Sequence, residues 1–294
     1  MIVLVIVGGG MLGHKLVQKL GENFDVWTTL RGNFENYEKF KIFNYEKTFE
    51  NTDILNFVAV EKIIARLKPQ VVVNAAGIVK QLPISENVIE AIEINSIFPH
   101  RLQKLSLKYS FRLITIGTDC VFSGKKGNYK ETDEADAADI YGKSKSLGET
   151  NGKNSLVLRT SIIGRELTLR RGLVEWFLSN GGKKVKGFRN AVFSGVTTAE
   201  LAAVIRNLIL NWKDLDGLYH LSSEPISKYD LLHLIKQAYR LDIEIEPNED
   251  FKIDRSLDST AFRLKVGYEP LSWEEMIREM ADDAAPYDKL DKQF

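Results

Sequence analysis

The most constraining feature of this sequence lies at its start, where an apolar strand runs into a cluster of glycines and then into a helix. Residues 2–7 are an unbroken run of β-branched residues and leucine, which is typical of a strand covered on both faces. Glycines follow at 8–10 and 13, and leucine and valine then recur at helical spacing until Gly21. This order of elements predicts the first unit of an α/β fold.

The same alternation continues along the chain. Further strands are predicted at 26–30, 71–73, 112–116, 156–158 and 218–221, and helices at 60–67, at 88–107, after Tyr141 and at 198–210. Strands that alternate with helices predict a doubly wound parallel sheet of the Rossmann class, with helices on both faces.

The regularity loosens after Gly164, which predicts a second, smaller lobe. We expect a dinucleotide-binding domain over residues 1–163 and a mainly substrate-binding lobe over 164–294, with loops and a short helix up to 193. The chain is expected to return to the first domain at 195–222. The polar end, residues 281–294, is expected to be a loosely held tail.

Charge and composition exclude several classes of protein. The 294 residues include 40 basic and 40 acidic side chains, and a chain without cationic excess is a poor candidate for nucleic-acid binding. No apolar run is long enough to cross a membrane, and no signal peptide is recognisable. One cysteine and four scattered histidines predict neither a disulfide nor a metal site. We therefore expect a soluble, cytoplasmic monomer or homodimer.

The glycine cluster predicts a dinucleotide site. Residues 8–13 read GGGMLG and contain the GxGxxG pattern at the first strand–helix junction. A diphosphate binds the free amides of a helix N-terminus, and glycines let the backbone approach it. The residues predicted to bind this diphosphate are Gly8, Gly10, Met11, Leu12 and Gly13. The alternative is a tight turn without a ligand.

Residues after the next strands predict the remainder of the cofactor site. The acidic residue that usually binds the ribose is absent, and Arg31 follows the second strand instead, which favours NADPH while leaving NADH possible. The alternative is that Arg31 faces water. Asp53 and Ile54 are predicted near the adenine, although an aspartate there could also cap a helix. The small residues expected beside the cofactor are Ala75, Ala76 and Gly77.

A tyrosine and a lysine form the core of a catalytic prediction. Tyr141 and Lys145 are four residues apart, which places them on one helix face. A free tyrosine has a pKa of about 10, and a nearby ammonium is expected to lower it and allow proton exchange with a carbonyl oxygen. Thr118, just after the strand at 112–116, is placed to hold that carbonyl.

Several segments together resemble the extended short-chain dehydrogenase/reductases, in particular the dTDP-4-dehydrorhamnose reductase branch. The segments are TDCVFSG at 118–124, YKE at 129–131, the run at 141–149, INSIFPHRLQK at 95–105 and FSGVTT at 193–198. The resemblance implies a Rossmann domain, NADPH, and a nucleotide-linked 4-keto-6-deoxy sugar bound between the domains, in deoxysugar and polysaccharide biosynthesis. It implies that Thr118, Tyr141 and Lys145 are the catalytic triad, with Tyr141 and Lys145 also contacting the cofactor. One departure is Val7, which stands where GxxGxxG members have their first glycine.

Cys120 distinguishes the chain from related enzymes. It stands where sugar 4,6-dehydratases have a catalytic glutamate, so dehydration is not expected. Epimerase-reductases of the GDP-fucose synthase type have a cysteine at this position and a histidine in a later loop, but the corresponding loop at 161–166 has none. An epimerase-reductase therefore stays an alternative. So does a non-catalytic NADP-binding subunit, because the regulatory subunit of methionine adenosyltransferase is also similar.

Six residues are candidates for binding the sugar nucleotide: Asp119, Cys120, Arg165, Trp176, Lys186 and Arg189. The three basic residues would hold a diphosphate, with a solvated surface position as the alternative. Trp176 would stack on a base, or pack in the core. Asp119 would bind substrate or cap a turn, and Cys120 is predicted mainly as a small packing residue.

Overall fold

The structure, a computed structural model, describes residues 1–78 and 87–287. The strands are β1 (Ile2–Ile6), β2 (Asp25–Thr29), β3 (Thr48–Phe49), β4 (Val71–Asn74), β5 (Arg112–Ile116), β6 (Ser155–Arg159), β7 (Ile162–Ile163), β8 (Lys184–Phe188), β9 (Ala191–Phe193), β10 (Val196–Thr197), β11 (Gly217–His220), β12 (Ile226–Ser227), β13 (Glu244–Asn248) and β14 (Ile253–Asp254). The α-helices are α1 (Gly13–Gly21), α2 (Glu35–Glu38), α3 (Phe57–Leu67), α4 (Val88–Ile92), α5 (Phe98–Tyr109), α6 (Ile140–Leu147), α7 (Leu173–Leu178), α8 (Thr198–Asn211), α9 (Lys228–Ala238), α10 (Thr260–Val266) and α11 (Trp273–Ala281).

Seven strands form one sheet in the order β11-β6-β5-β4-β1-β2-β3, and all its pairings are parallel. This confirms the predicted doubly wound α/β fold. Parallel strands place all their carboxyl ends along one edge, which is where ligands bind in such sheets. The prediction for the first strand is one residue too long, because Val7 leaves the extended conformation with a φ of 64°.

The two faces of the sheet bury separate cores. Val3 and Val5 pack on the side of α1 and α8, whereas Leu4 and Ile6 pack on the side of α3 and α5. All four side chains are fully buried, because successive residues of a strand point to opposite faces. This explains why the strand is an unbroken apolar run rather than an alternating one.

After β6 the chain forms smaller sheets and then returns to the large one. β9 lies between β12 and β14, and β8 pairs in parallel with β13. α8 then packs against α1, and β11 joins the edge of the main sheet beside β6. The prediction of loops and one short helix up to 193 is wrong for β8 and β9. Because the partner of β8 lies some 60 residues further on, its pairing has no local signature.

The predicted loose tail is also wrong for the residues that the structure describes there. Tyr287 is 3% exposed and packs with Phe40 and Leu167. Its hydroxyl is 2.9 Å from Nε2 of the buried His14 and donates to Asp283. One aromatic side chain therefore anchors a segment that is polar in composition, while residues 288–294 lie outside the described residues. No helix in the described ranges is long and apolar enough to cross a membrane.

Candidate active site

The turn after β1 is closely packed. A Cβ added to Gly13 would lie 2.1 Å from the Val7 carbonyl oxygen, and one added to Gly8 would lie 2.0 Å from Thr28 Oγ1. Gly10 has ordinary space around it, with 3.6 Å to the nearest atom. Glycine is therefore required at 8 and 13, and Val7 itself takes the left-handed conformation that glycine adopts most easily.

The same turn presents backbone donors. Leu12 precedes α1 and supplies no side-chain cap. Within 1–78 and 87–287, the amides of Met11 and Leu12 donate to no other group. Uncapped amides at the start of a nine-residue helix are suited to an anion. The residues of this turn therefore fit a dinucleotide diphosphate.

The other predicted cofactor residues lie near the same edge of the sheet. Arg31 is exposed just beyond β2. Asp53 is exposed and accepts a hydrogen bond from the Leu55 amide at 3.0 Å, and the cap of α3 is Asn56 instead. Ile54 is buried. The three small residues after β4 are Ala75, partly buried, Ala76, buried, and Gly77, exposed.

Thr118, Tyr141 and Lys145 come together at the carboxyl end of β5. The Thr118 hydroxyl lies close enough to the Tyr141 hydroxyl to act on its pKa. Lys145 Nζ donates to the carbonyl oxygen of Ile116 at 2.7 Å, and a Cβ added to Gly77 would lie 3.9 Å from this nitrogen. The predicted hydroxyl–tyrosine–lysine group is therefore a spatial cluster beside the loop after β4.

Close packing places α6, which carries the tyrosine and the lysine. Asp139 caps the helix by accepting from the Gly142 amide at 2.9 Å. A Cβ on Gly142 would lie 2.3 Å from the carbonyl oxygen of Cys120. Because this glycine has no side chain, α6 approaches the turn after β5 closely enough for Tyr141 to reach Thr118.

Burial sets the protonation of Tyr141 and Lys145. Desolvation raises the pKa of Tyr141, and the nearby Cys120 and Asp119 add to this, while the neighbouring Thr118 hydroxyl opposes it. The expected lowering by Lys145 is therefore not what sets the pKa of Tyr141, which is a neutral phenol at neutral pH. Burial lowers the pKa of Lys145 to about 8, with Glu149 acting in the opposite direction. A neutral phenol is the form that can donate a proton.

Asn95 is a site residue that the sequence analysis did not single out. It lies in a π-helical turn, Glu93–Ile97, between α4 and α5. Its side chain accepts from the Ile78 amide at 3.0 Å and donates to Ser144 Oγ at 3.2 Å. It thereby ties the loop after β4 to the catalytic helix. A polar residue inside an amphipathic helical run was the available signal, and π-turns often occur at functional sites.

Comparison with known families identifies the chain. A family model described as the RmlD substrate binding domain matches residues 1–285. The chain belongs to this family.

Individual relatives of this RmlD-family chain include a reductase and beta subunits of a methionine adenosyltransferase. It is 30% identical to a dTDP-4-dehydrorhamnose reductase of Aggregatibacter actinomycetemcomitans, over 77% of this chain and 76% of that protein. It is 26% identical to methionine adenosyltransferase 2 subunit beta of Danio rerio, over 81% and 74% of the two chains. A solved structure of a hypothetical dTDP-4-dehydrorhamnose reductase from Sulfolobus tokodaii matches with a TM-score of 0.78 and 26% identity, covering 93% and 98%.

Beside the triad of this RmlD-family chain, charged groups from three segments meet. Asp119 is 4% exposed and accepts from Thr118 Oγ1 at 3.2 Å, and burial raises the pKa of its carboxyl. Lys228 and Arg255 are the cations that act on it. Cys120 is partly buried, and its amide donates to Thr118 Oγ1 at 3.1 Å. The sequence analysis missed both cations, because nothing local links residues 228 and 255 to 119.

The other predicted substrate residues have different surroundings. Arg165 is buried, forms an ion pair with Glu175 at 2.7 Å and lies over the Tyr287 ring. Trp176 is 40% exposed on α7, and Lys186 is exposed on β8. Arg189 is exposed and lies over the Tyr229 ring at 4.8 Å. The contacts of these four residues do not include the triad, so their substrate roles stay predictions.

Proposed function

We propose that this protein is an NADPH-dependent reductase that converts the ketone of a nucleotide-activated 4-keto-6-deoxy sugar to an alcohol, in the biosynthesis of deoxysugars for polysaccharides. The observation that carries the proposal is the cluster of Thr118, Tyr141 and Lys145 at the carboxyl end of β5, on the sheet edge that also presents the uncapped glycine turn. The similarity of this chain to the Aggregatibacter dTDP-4-dehydrorhamnose reductase supports the proposed class of substrate.

The residues divide the chemistry between them. A nicotinamide dinucleotide held at the glycine turn would supply the hydride that the carbonyl carbon accepts. Thr118 turns its hydroxyl proton from Asp119 to the carbonyl oxygen and holds the ketone in place. Tyr141, kept neutral by burial, gives its proton to that oxygen as the alcohol forms. The Lys145 ammonium stabilises the phenolate that remains, because an opposite charge nearby favours an ionised phenol.

The cofactor preference depends on Arg31. The Met11 and Leu12 amides would bind the diphosphate, and the exposed guanidinium beyond β2 would pair with a 2′-phosphate. We expect Arg31→Ala to weaken binding of NADPH but not of NADH in a fluorescence titration. Equal weakening of both would contradict the proposed preference.

The decisive experiment follows NADPH oxidation by the purified protein against a panel of nucleotide-linked 4-keto-6-deoxy sugars. Tyr141→Phe should lower kcat by about 10²- to 10⁴-fold, because it removes only the proton donor. Tyr45→Phe is the matched control, since Tyr45 is 64% exposed and lies on the β2–β3 connection. A fully active Tyr141→Phe variant would refute the mechanism, and no oxidation with any sugar would refute the function.

A second candidate is a non-catalytic NADP-binding subunit, favoured by the similarity to methionine adenosyltransferase 2 subunit beta. The intact Thr118, Tyr141 and Lys145 argue against it. Tight NADP binding without turnover, together with co-purification of a synthetase, would support this alternative.

A further inference from the structure

Lys228 is an enclosed cation at the proposed substrate site. It is the first residue of α9, directly after the cap Ser227. Its ammonium lies 4.1 Å from the centre of the Phe193 ring, and burial lowers its pKa. Within residues 1–78 and 87–287 its Nζ forms no hydrogen bond or ion pair. A desolvated ammonium is costly unless a group pairs with it, so this position is suited to a ligand that supplies an acceptor.

The charged groups around Lys228 indicate what kind of ligand would bind there. Asp119 and Cys120 act on it most strongly, and Arg255 is the cation nearby. Arg255 is itself fixed by donating from Nε to the Phe122 carbonyl oxygen at 2.8 Å. The buried Asp119 carboxylate repels a phosphate or another anion. Lys228 therefore offers a hydrogen-bond donor and Asp119 an acceptor. A neutral hydroxyl of the ligand can pair with both.

The position of Lys228 and Asp119 relative to the ketone indicates which hydroxyl of the sugar they would bind. Asp119 directly follows Thr118 and accepts from its hydroxyl at 3.2 Å, so it lies one group away from the carbonyl oxygen that Thr118 would hold. In a 4-keto-6-deoxy sugar the two carbons beside the ketone are C5, which carries a methyl group, and C3, which carries a hydroxyl. Only the C3 hydroxyl can both accept and donate a hydrogen bond.

We propose that Lys228 and Asp119 form a specificity subsite for the hydroxyl beside the reacting ketone. Lys228 Nζ donates to the C3 oxygen, and the C3 hydroxyl donates to the Asp119 carboxylate. This inference rests on the proposed reductase function, and it defines the preferred substrates as 4-keto sugars with a hydroxyl at C3.

The test compares two substrates and three proteins. The substrates are dTDP-4-keto-6-deoxyglucose and its 3-deoxy analogue, and the proteins are wild type, Lys228→Met and the control Lys236→Met in the last turn of the same helix. Wild type and control should prefer the 3-hydroxy sugar by about 10- to 100-fold in kcat/KM, the range for a hydrogen bond to a charged group. Lys228→Met should lose that preference mainly through a higher KM for the 3-hydroxy sugar.

Binding and stability measurements separate this role from others. Calorimetric titration with dTDP alone should give the same Kd for Lys228→Met and wild type, and the Tm of the variant should be equal or higher, since an unpaired enclosed charge is removed. A weaker Kd for dTDP would assign the amine to the diphosphate and overturn the proposal. An unchanged preference in Lys228→Met would also overturn it while leaving the reductase function standing. A wild-type protein that reduces neither sugar, nor any other 4-keto sugar, would instead refute the function itself.

Discussion

Val7 is a strained residue at the start of the glycine turn, and its strain can be measured. It is β-branched, yet it adopts a φ of 64°, a region where side chains clash with the backbone. The left-handed conformation costs a residue with a side chain about 1–2 kcal/mol relative to glycine. We therefore expect Val7→Gly to be more stable than Val7→Ala by about 1 kcal/mol.

The comparison of glycine with alanine isolates the backbone from the packing. Val7 is partly buried against the core on the α3 and α5 side, and both variants lose nearly the same contacts there. Val17, in the interior of α1, is the matched control. At that position alanine should be the more stable by about 1 kcal/mol, since glycine in a helix carries that penalty. The difference in unfolding free energy between the glycine and alanine variants should therefore have opposite signs at positions 7 and 17.

The assay is urea denaturation of the four variants and wild type, followed by circular dichroism, with m-values checked for constancy. The reasoning is refuted if Val7→Ala is as stable as Val7→Gly, because the turn would then not require a left-handed residue. Such a result would also remove the structural parallel between Val7 and the first glycine of related turns.

Three further predictions concern buried contacts. Glu149→Gln leaves the Arg159 guanidinium, now paired at 2.6 and 2.7 Å, unneutralised, so the free energy of unfolding should fall by about 3–5 kcal/mol in urea denaturation; a loss under about 1 kcal/mol would contradict this. Burial lowers the pKa of His14 from 6.5 to about 4, so the unfolded state binds the proton more tightly. Stability should therefore fall by about 3 kcal/mol as the pH drops from 6.5 to 4, and thermal melts of His14→Gln should show a smaller decline. Gly13→Ala would place a methyl group against the Val7 carbonyl oxygen and distort the turn, so a fluorescence titration should show loss of NADPH binding. An unchanged affinity for NADPH would show that the turn can accommodate a side chain at position 13.

Local sequence pattern predicted the architecture and the spacing of the proposed catalytic residues. The strand at 112–116 and the tyrosine–lysine spacing at 141–145 could be predicted because period and spacing along one element set which face a side chain occupies. The glycine turn was predictable for a similar reason, since Gly13 approaches Val7 within the turn itself, whereas the approach of Gly8 to Thr28 depends on the neighbouring strand.

Tertiary structure decided everything that depends on contacts between distant segments. Asp119 acts electrostatically on Lys228, which is 109 positions away in the sequence, and β8 pairs with β13 some 60 residues later. Burial, rather than the neighbouring lysine, sets the protonation of Tyr141, because desolvation depends on how many atoms of other elements surround a group. Tyr287 anchors a polar segment for a similar reason: whether an aromatic ring is buried depends on the cavity that other elements provide. Sequence alone thus determined which chemistry the chain carries, and packing decided which groups surround it.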